Sequence, residues 1–272
     1  MDTNGNVYVA GQTGGGLDGN TLTGLSDFFV TKYNSAGTKQ YTKQLGVAGA
    51  NTMGNGVAVD TNGNVYVAGT TNGGLDGNTR TGTWDLFVTK YNSVGTKQYT
   101  KQLGVAASIA YGQGTAVDAG GNVYVAGYTN GGLDGNTLSG SQDFYVTMYN
   151  SAGTKVRTKQ LGTAGKMTYG NSVAVDAGGN VVVAGYTNGG LDGNTLAGTN
   201  DFFFTKYDST GTKKYTKQFG AAGANTNGNG VAVDANGNVY LAGQTTGGLD
   251  GNTVTGIWDF FVTKYNSAGT KQ

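Results

Sequence analysis

The chain repeats itself every 58 residues, and this repeat constrains its fold more than any other feature. The segment Asp-Thr-Asn-Gly-Asn-Val-Tyr-Val-Ala-Gly recurs in close copies that start at Asp2, Asp60, Asp118, Asp176 and Asp234. A period of this size is typical of arrays of supersecondary units, each of which buries its apolar face against the next. The sequence therefore predicts a single repeat domain over residues 1–272, with repeats that start near residues 2, 60, 118, 176 and 234.

Each repeat is predicted to form four β-strands, named A to D in chain order. In the second repeat, Gly56–Asp60 and Val65–Gly69 are apolar runs joined by an Asn-Gly turn, which is a strong hairpin signal. Leu86–Tyr91 is rich in β-forming residues, and Lys97–Leu103 carries the lysines typical of an exposed edge strand. The pattern predicts an all-β protein, a β-propeller of five four-stranded repeats with strand A at the axis and strand D at the rim. A β-solenoid is the competing architecture, but its coils are usually much shorter.

Three strand motifs recur in the same order along essentially the whole chain: Gly-Val-Ala-Val-Asp, Gly-Asn-Val-Tyr-Val-Ala-Gly and Asp-Phe-Phe-Val-Thr-Lys-Tyr. Together they resemble the SBBP β-propeller repeat of bacterial proteins. The resemblance implies a propeller fold and an exported or surface-associated location, and it implies little about activity. Met148 departs from the pattern, because the other four repeats have lysine at this position (Lys32, Lys90, Lys206 and Lys264).

The composition excludes several classes of function. Cysteine, histidine and glutamate are absent, which removes the usual zinc and iron–sulfur sites and the Ser-His-Asp and Cys-His catalytic groups. The titratable groups recur in equivalent copies, whereas acid–base catalysis needs groups in distinct environments. We therefore expect no enzymatic activity, and a glycosidase with paired aspartates is the remaining enzymatic alternative.

The charge pattern gives no reason to expect nucleic acid as a partner. The formal net charge is +1, and the lysines recur at fixed repeat positions rather than in one patch. No apolar stretch is long enough to predict membrane insertion. Repeat sequence follows Met1 directly without a signal peptide, so we expect the chain to be a processed or excised piece.

Fifteen of the 16 acidic residues occupy three repeat positions, which we call the turn, loop and strand aspartates. The turn aspartates are Asp2, Asp60, Asp118, Asp176 and Asp234. The loop aspartates are Asp18, Asp76, Asp134, Asp192 and Asp250. The strand aspartates are Asp27, Asp85, Asp143, Asp201 and Asp259.

Calcium is the one cofactor that these aspartates suggest, and it is not the favoured interpretation. The first repeat has the alternate oxygen spacing Asp2-X-Asn4-X-Asn6, and each loop aspartate lies in Leu-Asp-Gly-Asn-Thr. The middle ligand of the first motif is missing from two repeats, and no glutamate closes either loop. We therefore expect an ordinary turn that needs only Gly and Asn at the first motif, Asx turns at the loop aspartates and no bound cofactor, with calcium at the loop aspartates as the alternative. The strand aspartates are expected to be solvated.

The long connections predict where a ligand would bind. The B–C and D–A connections, Gln12–Ser26 and Gly46–Asn55 in the first repeat, lie at the same end of an up-and-down sheet. Residues at this end vary between repeats, and the candidate ligand-binding side chains are Trp84, Trp258, Tyr111 and Tyr169. Exposed aromatic rings beside Asn and Asp can stack on a sugar. The alternative, which we favour, is that these rings pack between repeats.

These observations predict a non-catalytic structural or protein-interaction propeller, located outside the cell or on its surface. The alternative is a multivalent lectin-like module that binds glycans at the long-loop end. The chain falls short of five full repeats by a stretch equivalent to Tyr41–Ala58, so the first repeat lacks strand A and the fifth lacks strand D. Unpaired strand edges template contacts with other chains. We therefore expect self-association through the terminal repeats, as a unit of a larger array or fibre.

Overall fold

The computed structural model describes residues 1–272 and contains 18 β-strands. In chain order these are β1 (Val7–Thr13), β2 (Asp27–Tyr33), β3 (Lys39–Leu45), β4 (Thr52–Val59), β5 (Val65–Thr71), β6 (Asp85–Tyr91), β7 (Lys97–Leu103), β8 (Ala110–Val117), β9 (Val123–Thr129), β10 (Asp143–Tyr149), β11 (Lys155–Leu161), β12 (Thr168–Val175), β13 (Val181–Thr187), β14 (Asp201–Tyr207), β15 (Lys213–Phe219), β16 (Thr226–Val233), β17 (Val239–Thr245) and β18 (Asp259–Tyr265). The helical residues form three single 3-10 turns, Leu75–Gly77, Leu133–Gly135 and Leu191–Gly193. No helix has the length and apolar character needed to cross a membrane.

The strands form five sheets, each built from strands that are consecutive in the chain. The strand orders are β1-β2-β3, β4-β5-β6-β7, β8-β9-β10-β11, β12-β13-β14-β15 and β16-β17-β18. The first sheet lacks strand A and the fifth lacks strand D, as the repeat arithmetic predicts. The all-β prediction and the four-stranded meander are therefore confirmed for the interior repeats.

In the second repeat the predicted bounds are right for strand D, one residue short for strand C, two residues short for strand B and wrong for strand A. In the second repeat, strand A begins at Thr52 rather than at Gly56, because its first half pairs with strand B across a bulge between Gly54 and Gly56. The D–A connection is correspondingly shorter than predicted. The variable residues assigned to this connection lie instead in strand A, namely Met53, Tyr111, Tyr169 and Asn227.

The chain divides into two compact units. The first contains residues 1–125, 131–135 and 147–156, and the second contains residues 126–130, 136–146 and 157–272. The first two sheets belong to the first unit, the last two belong to the second unit, and the third sheet contributes to both. That the chain forms a single propeller domain stays a prediction.

Each unit has a core between successive sheets. In the first unit, the ring of Phe28 stacks on that of Phe87 in the next sheet, with ring centroids 5.0 Å apart. In the second unit, the ring of Phe204 lies 4.7 Å from that of Tyr265 in the next sheet, in a tilted arrangement. Burial falls from strand B to strand D: all of β5 is buried, whereas β7 buries only Thr100. This gradient is as expected for strands B and C covered on both faces and strand D at an exposed edge.

Candidate functional site

The long connections lie at one end of each sheet and are joined by backbone hydrogen bonds. In the first unit, Leu25 N donates to Ala50 O at 2.7 Å, and Thr52 N donates to Ser26 O at 2.9 Å. In the second unit, Thr226 N donates to Asn200 O at 2.8 Å. The prediction that the B–C and D–A connections share one end is confirmed. We call this end of the sheets the long-loop end.

In the first unit, the long-loop end carries a Trp–Tyr pair. Trp84 precedes β6 and Tyr111 lies in β8 of the next sheet, with ring centroids 5.6 Å apart at an interplanar angle of 35°. Both rings are partly buried, and burial raises the pKa of Tyr111. This pair therefore packs between repeats, as the favoured alternative predicts.

In the second unit, the long-loop end carries a group of three tyrosines. The Tyr169 ring lies 4.9 Å from that of Tyr186 in a stacked arrangement, and 4.4 Å from that of Tyr128 in an edge-on arrangement. Burial raises the pKa of both Tyr169 and Tyr186. We call Tyr128, Tyr169 and Tyr186 the tyrosine group. It is the largest aromatic arrangement that the variable positions form within either unit.

Sequence reasoning missed two members of the tyrosine group. Tyr128 and Tyr186 are the penultimate residues of strand B, where a regular strand motif directs attention to the core rather than to a surface. The signal was the variation at this position, which the other repeats fill with Gln12, Thr70 and Gln244.

Trp258 is more exposed than the other predicted ligand-binding residues. Its exposed fraction is 43%, and its neighbours Ile257 and Phe260 are each 86% exposed. The structure thus pairs Trp84 with Tyr111, places Tyr169 among tyrosines and leaves Trp258 in an exposed apolar segment. Whether any of these residues binds a ligand stays a prediction.

The loop aspartates form ion pairs rather than Asx turns, which corrects the predicted reason for their recurrence. Asp18 has a φ of +56°, in the left-handed region that aspartate tolerates, and it pairs with the Lys39 ammonium, which lowers the pKa of Asp18. Asn20 supports the loop separately, because its Nδ2 donates to Leu17 O at 2.8 Å. The equivalent pairs are Asp76–Lys97, Asp134–Lys155, Asp192–Lys213 and Asp250–Lys271.

The turn aspartates lie in the hairpin turns that were predicted, and their carboxylates also form Asx turns, which were not predicted there. Asp60 Oδ1 accepts hydrogen bonds from Asn62 N and Asn64 N, both at 2.9 Å, and Asp60 Oδ2 accepts from Asn64 Nδ2 and from the Tyr66 hydroxyl. Gly63 has a φ of +77°, which closes the hairpin. The chain contains no group of three or more acidic side chains that could hold a metal ion. Calcium at the loop aspartates remains the untested alternative.

The prediction that the strand aspartates are solvated is wrong for the first four repeats, which are the repeats that contain strand D. Asp85 is fully buried and accepts hydrogen bonds from Thr81 N at 2.7 Å, Gly82 N at 2.7 Å and Gln102 Nε2 at 2.8 Å. A buried carboxylate is stable only when donors satisfy it in this way. Asp27, Asp143 and Asp201 are buried with the same set of donors.

The signal for this arrangement was present in the sequence. Each D strand has a constant glutamine as its penultimate residue and is followed by a constant glycine, such as Gln102 and Gly104 in the second repeat. A glutamine, a glycine and an aspartate that recur together indicate one hydrogen-bonded junction, which clamps strand D and the B–C connection to the start of strand C.

The outer faces of the first and fifth sheets are apolar and exposed. Val9 in β1 is 45% exposed, whereas its interior equivalents Val67 and Val183 are fully buried. Phe260 in β18 is 86% exposed, whereas its interior equivalent Phe202 is fully buried. The interior residues are buried because a neighbouring sheet packs over them.

A family model described as a beta-propeller repeat, SBBP, matches residues 40–76, 98–134, 156–192 and 214–250. These four segments together account for more than half of the chain. The chain belongs to the SBBP β-propeller repeat family. Each match begins in strand D of one repeat and ends at the loop aspartate of the next, so it includes the junction between successive sheets.

The regulatory protein FlaEY of Caulobacter vibrioides is a curated relative of this SBBP repeat chain. The two are 31% identical over 220 residues, and the match covers 70% of this chain and 22% of FlaEY. The chain thus spans about a fifth of the length of this relative.

Two solved structures of a polysaccharide lyase, the PL25 ulvan lyase, are similar in fold. The first has a TM-score of 0.55 and the second, bound to -[GlcA(1-4)Rha3S]-, has a TM-score of 0.53. Each is 14% identical to this chain, and each match covers 100% of this chain and 67% of the lyase. At this identity the likeness shows the fold alone.

Proposed function

We propose that this SBBP repeat chain is a non-catalytic five-bladed propeller that serves as a structural or protein-interaction module. The observation that supports the proposal is that its carboxylates already have structural hydrogen-bond or ion-pair partners. In the second repeat, the turn aspartate Asp60 is held by backbone and amide donors, the loop aspartate Asp76 by Lys97, and the strand aspartate Asp85 by backbone and Gln102. Carboxylate catalysis needs one group held protonated and one ionised across a substrate, and these aspartates are already committed to structural partners.

A substrate screen tests the non-catalytic part of the proposal. Uronate-containing polysaccharides such as ulvan are incubated with the chain, and an unsaturated product is followed by ultraviolet absorbance alongside a general glycosidase screen. We expect no turnover above that of a buffer blank. Turnover that disappears on replacement of one aspartate would overturn this proposal.

The same module self-associates through the exposed faces of its first and fifth sheets. The face that carries Phe260 is equivalent to the face of the first sheet that carries Phe28, and Phe28 stacks on Phe87 of the following sheet. The chain therefore contains both halves of one interface, and a head-to-tail contact between copies would cover them. Repetition of this contact gives an array, which suits a location outside the cell or on its surface, where proteins with such repeats are often found.

Sedimentation velocity over a range of concentrations tests self-association. We expect the wild-type chain to form concentration-dependent oligomers and the double variant Phe260→Ser/Val262→Ser to remain monomeric. Val94 is 72% exposed in a C–D turn, where three of the other four repeats have alanine, so Val94→Ala is the matched control and should assemble like the wild type. A wild-type chain that stays monomeric at all concentrations would contradict this part of the proposal.

A second candidate function is multivalent glycan binding at the long-loop end. The tyrosine group and Trp258 favour it, because aromatic faces with polar neighbours are suited to sugar rings. The repeats supply substitutions that the fold already accommodates: Trp84→Ser and Trp258→Ser introduce the residue of the first repeat, and Tyr169→Asn introduces that of the fifth. Glycan binding that these variants reduce would support this candidate, and a glycan panel with no binding would exclude it.

A further inference from the structure

The third repeat differs from the others where its strand D meets the following sheet. In the first, second and fourth sheets, a lysine of strand C pairs across the sheet with a tyrosine of strand D, as Lys90 does with Tyr99. The third repeat has Met148 and Arg157 at these two positions. Its positive charge therefore lies on strand D rather than on strand C.

Arg157 is held in position by the next sheet. Its Nη2 donates to Ser209 O at 2.6 Å, in the C–D turn of the fourth repeat. The lysine of strand C makes the equivalent bond in other repeats, as when Lys90 Nζ donates to Ser151 O at 3.1 Å. Arg157 thus replaces this structural contact with one N–H group, and a guanidinium has four more to offer a ligand.

Lys159, two residues further along β11, lacks the partner that its equivalents have. The equivalent lysines of the first, second and fourth repeats lie over the strand D tyrosine, as Lys101 Nζ does at 5.9 Å from the ring centroid of Tyr99. Because the third repeat has Arg157 in place of that ring, two cationic side chains lie side by side on one face of the strand. Both pack against Gly211, where a Cβ would lie 2.8 Å from Arg157 Cδ and 3.1 Å from Lys159 Cε.

No carboxylate neutralises these two cations. Neither forms an ion pair, whereas the lysines of the adjoining turn do. Lys213 pairs with Asp192, and Lys214 pairs with Asp208 at 3.0 Å. Like charges on neighbouring side chains repel each other, so an anion that binds to both would remove this repulsion.

A cleft of about 400 Å³ lies beside the two cations, within the second unit. Lys159 and Gly211 line it, together with Asn136 of the B–C connection and Thr210 and Thr212 of the next C–D turn. Its volume is in the range of small-molecule sites. The amide and hydroxyl groups of this lining are suited to the hydroxyls of a sugar, and the cations are suited to an acidic group on it.

We propose that this cleft binds a saccharide that carries a sulfate or phosphate ester, and that Arg157 and Lys159 bind the ester group. A guanidinium matches the geometry of a tetrahedral oxyanion, and the ammonium adds a second positive charge. The bond to Ser209 O holds the guanidinium in place before the ligand binds, which lowers the entropic cost of binding. The proposal goes beyond the scaffold function, and the site shares no residue with the tyrosine group.

Titration of the chain with glucose 6-sulfate, glucose 6-phosphate, glucose and inorganic sulfate tests the ligand class. The amide resonances of the chain report binding, and that of Gly211 should shift. We expect saturable binding of at least one ester, weaker binding of inorganic sulfate and none of glucose. The ester that binds more tightly identifies the source of the oxyanion. If neither ester binds, or if inorganic sulfate binds as tightly as the better ester, the proposal is wrong.

A double variant with unchanged net charge tests the two-cation arrangement. Met148→Lys/Arg157→Tyr gives the third repeat the lysine and tyrosine of the first, second and fourth repeats, an arrangement that the fold already accommodates. We expect it to bind the better ester at least about tenfold more weakly, because charge-assisted hydrogen bonds are lost. Equal binding by this variant and the wild type would overturn the proposal.

Two single variants separate the site from the general charge of the chain. Lys159→Gln removes the second cation and should also weaken binding of the better ester about tenfold. Lys166→Ala removes a positive charge outside the site and introduces the residue of the first and fourth repeats, so it should keep the wild-type affinity. An equal loss of affinity in these two variants would show that only net charge attracts the ester, and the proposal would be wrong.

Discussion

The Oδ1 atom of Asp27 lies in the space where a Cβ atom on Gly46 would have to be. Gly46 follows strand D and does not have a positive φ, so the backbone conformation does not require glycine there. The carboxylate requires it, because Asp27 is fully buried and is held by donors on three residues. The same overlap recurs between Gly104 and Asp85, so the junction between strands D and C requires glycine at this position in both repeats.

We expect Gly104→Ala to destabilise the chain by about 2–3 kcal/mol, since overpacking a rigid buried site costs energy of this order. Urea denaturation measures the change in the free energy of unfolding. Gly230→Ala is the matched control, because a Cβ at Gly230 meets no atom within 4 Å. Equal stabilities of the two variants would show that the Asp85 carboxylate can move aside.

We expect Asp85→Asn to destabilise the chain by at least about 2 kcal/mol. An asparagine can offer only one oxygen to three donors, and its NH2 group would face a backbone N–H or the Gln102 amide. Asp259→Asn, at the partly exposed equivalent in the fifth sheet, should cost less. Denaturation of both variants under the same conditions measures how much free energy of unfolding each one loses. A larger loss for Asp259→Asn than for Asp85→Asn would contradict this prediction.

The stability of the chain should fall between about pH 10 and pH 12 as tyrosine protons are lost. Burial raises the pKa values of Tyr41, Tyr99 and Tyr265 to about 12, from an ordinary value of 10.0. Below about pH 10 both the folded and the unfolded chain keep these protons, so tyrosine ionisation does not reduce the free energy of unfolding. Above that pH the unfolded chain releases them first, so the free energy of unfolding decreases.

Denaturation at several pH values, with tyrosinate absorbance as the probe of ionisation, measures this loss. Tyr99→Phe keeps the ring and removes a buried hydroxyl that lacks a hydrogen-bond partner. It should reduce the slope of stability against pH. An unchanged slope would assign the alkaline loss to other groups.

Calcium should be dispensable for stability. Each loop aspartate pairs with a lysine, so a cation there would have to displace an ammonium group. Addition of a chelator should leave the melting temperature unchanged, because only an ion bound to the folded state would shift it. A clear drop on chelation, reversed by calcium, would revive the loop aspartates as metal sites.

The regular part of the fold was predictable because it depends on local patterns. The Asn-Gly hairpin and the run Val65–Gly69 each specify a strand or a turn within a few residues. The burial of Asp85 was not predictable in this way, because its partner Gln102 is contributed by the neighbouring strand and local sequence shows neither residue as buried. The start of strand A at Thr52 was missed because its first residues are polar or glycine and pair only across a bulge.

The candidate site was harder to predict than the fold. Trp84 and Tyr111 were identified by their variation between repeats, and the structure shows that they contact each other across a sheet boundary. Tyr128 and Tyr186 occupy equally variable positions, but a strand motif concealed them. Variation between copies within one chain was thus the informative signal, and residue type alone was not.

The clamp formed by Asp85, Gln102 and Gly104 has a consequence for how the chain reaches its native state. This clamp is chemically the same in every complete repeat, so an unfolded D strand could pair equally well with strand C of several repeats. Pairing with strand C of the wrong repeat, as in domain swapping, is a characteristic failure of repeat proteins. What distinguishes the correct acceptor is the short turn that joins β6 to β7, which holds the strand near its own sheet at a high effective concentration. We therefore expect the speed of that local closure, rather than a difference in affinity, to select the native pairing.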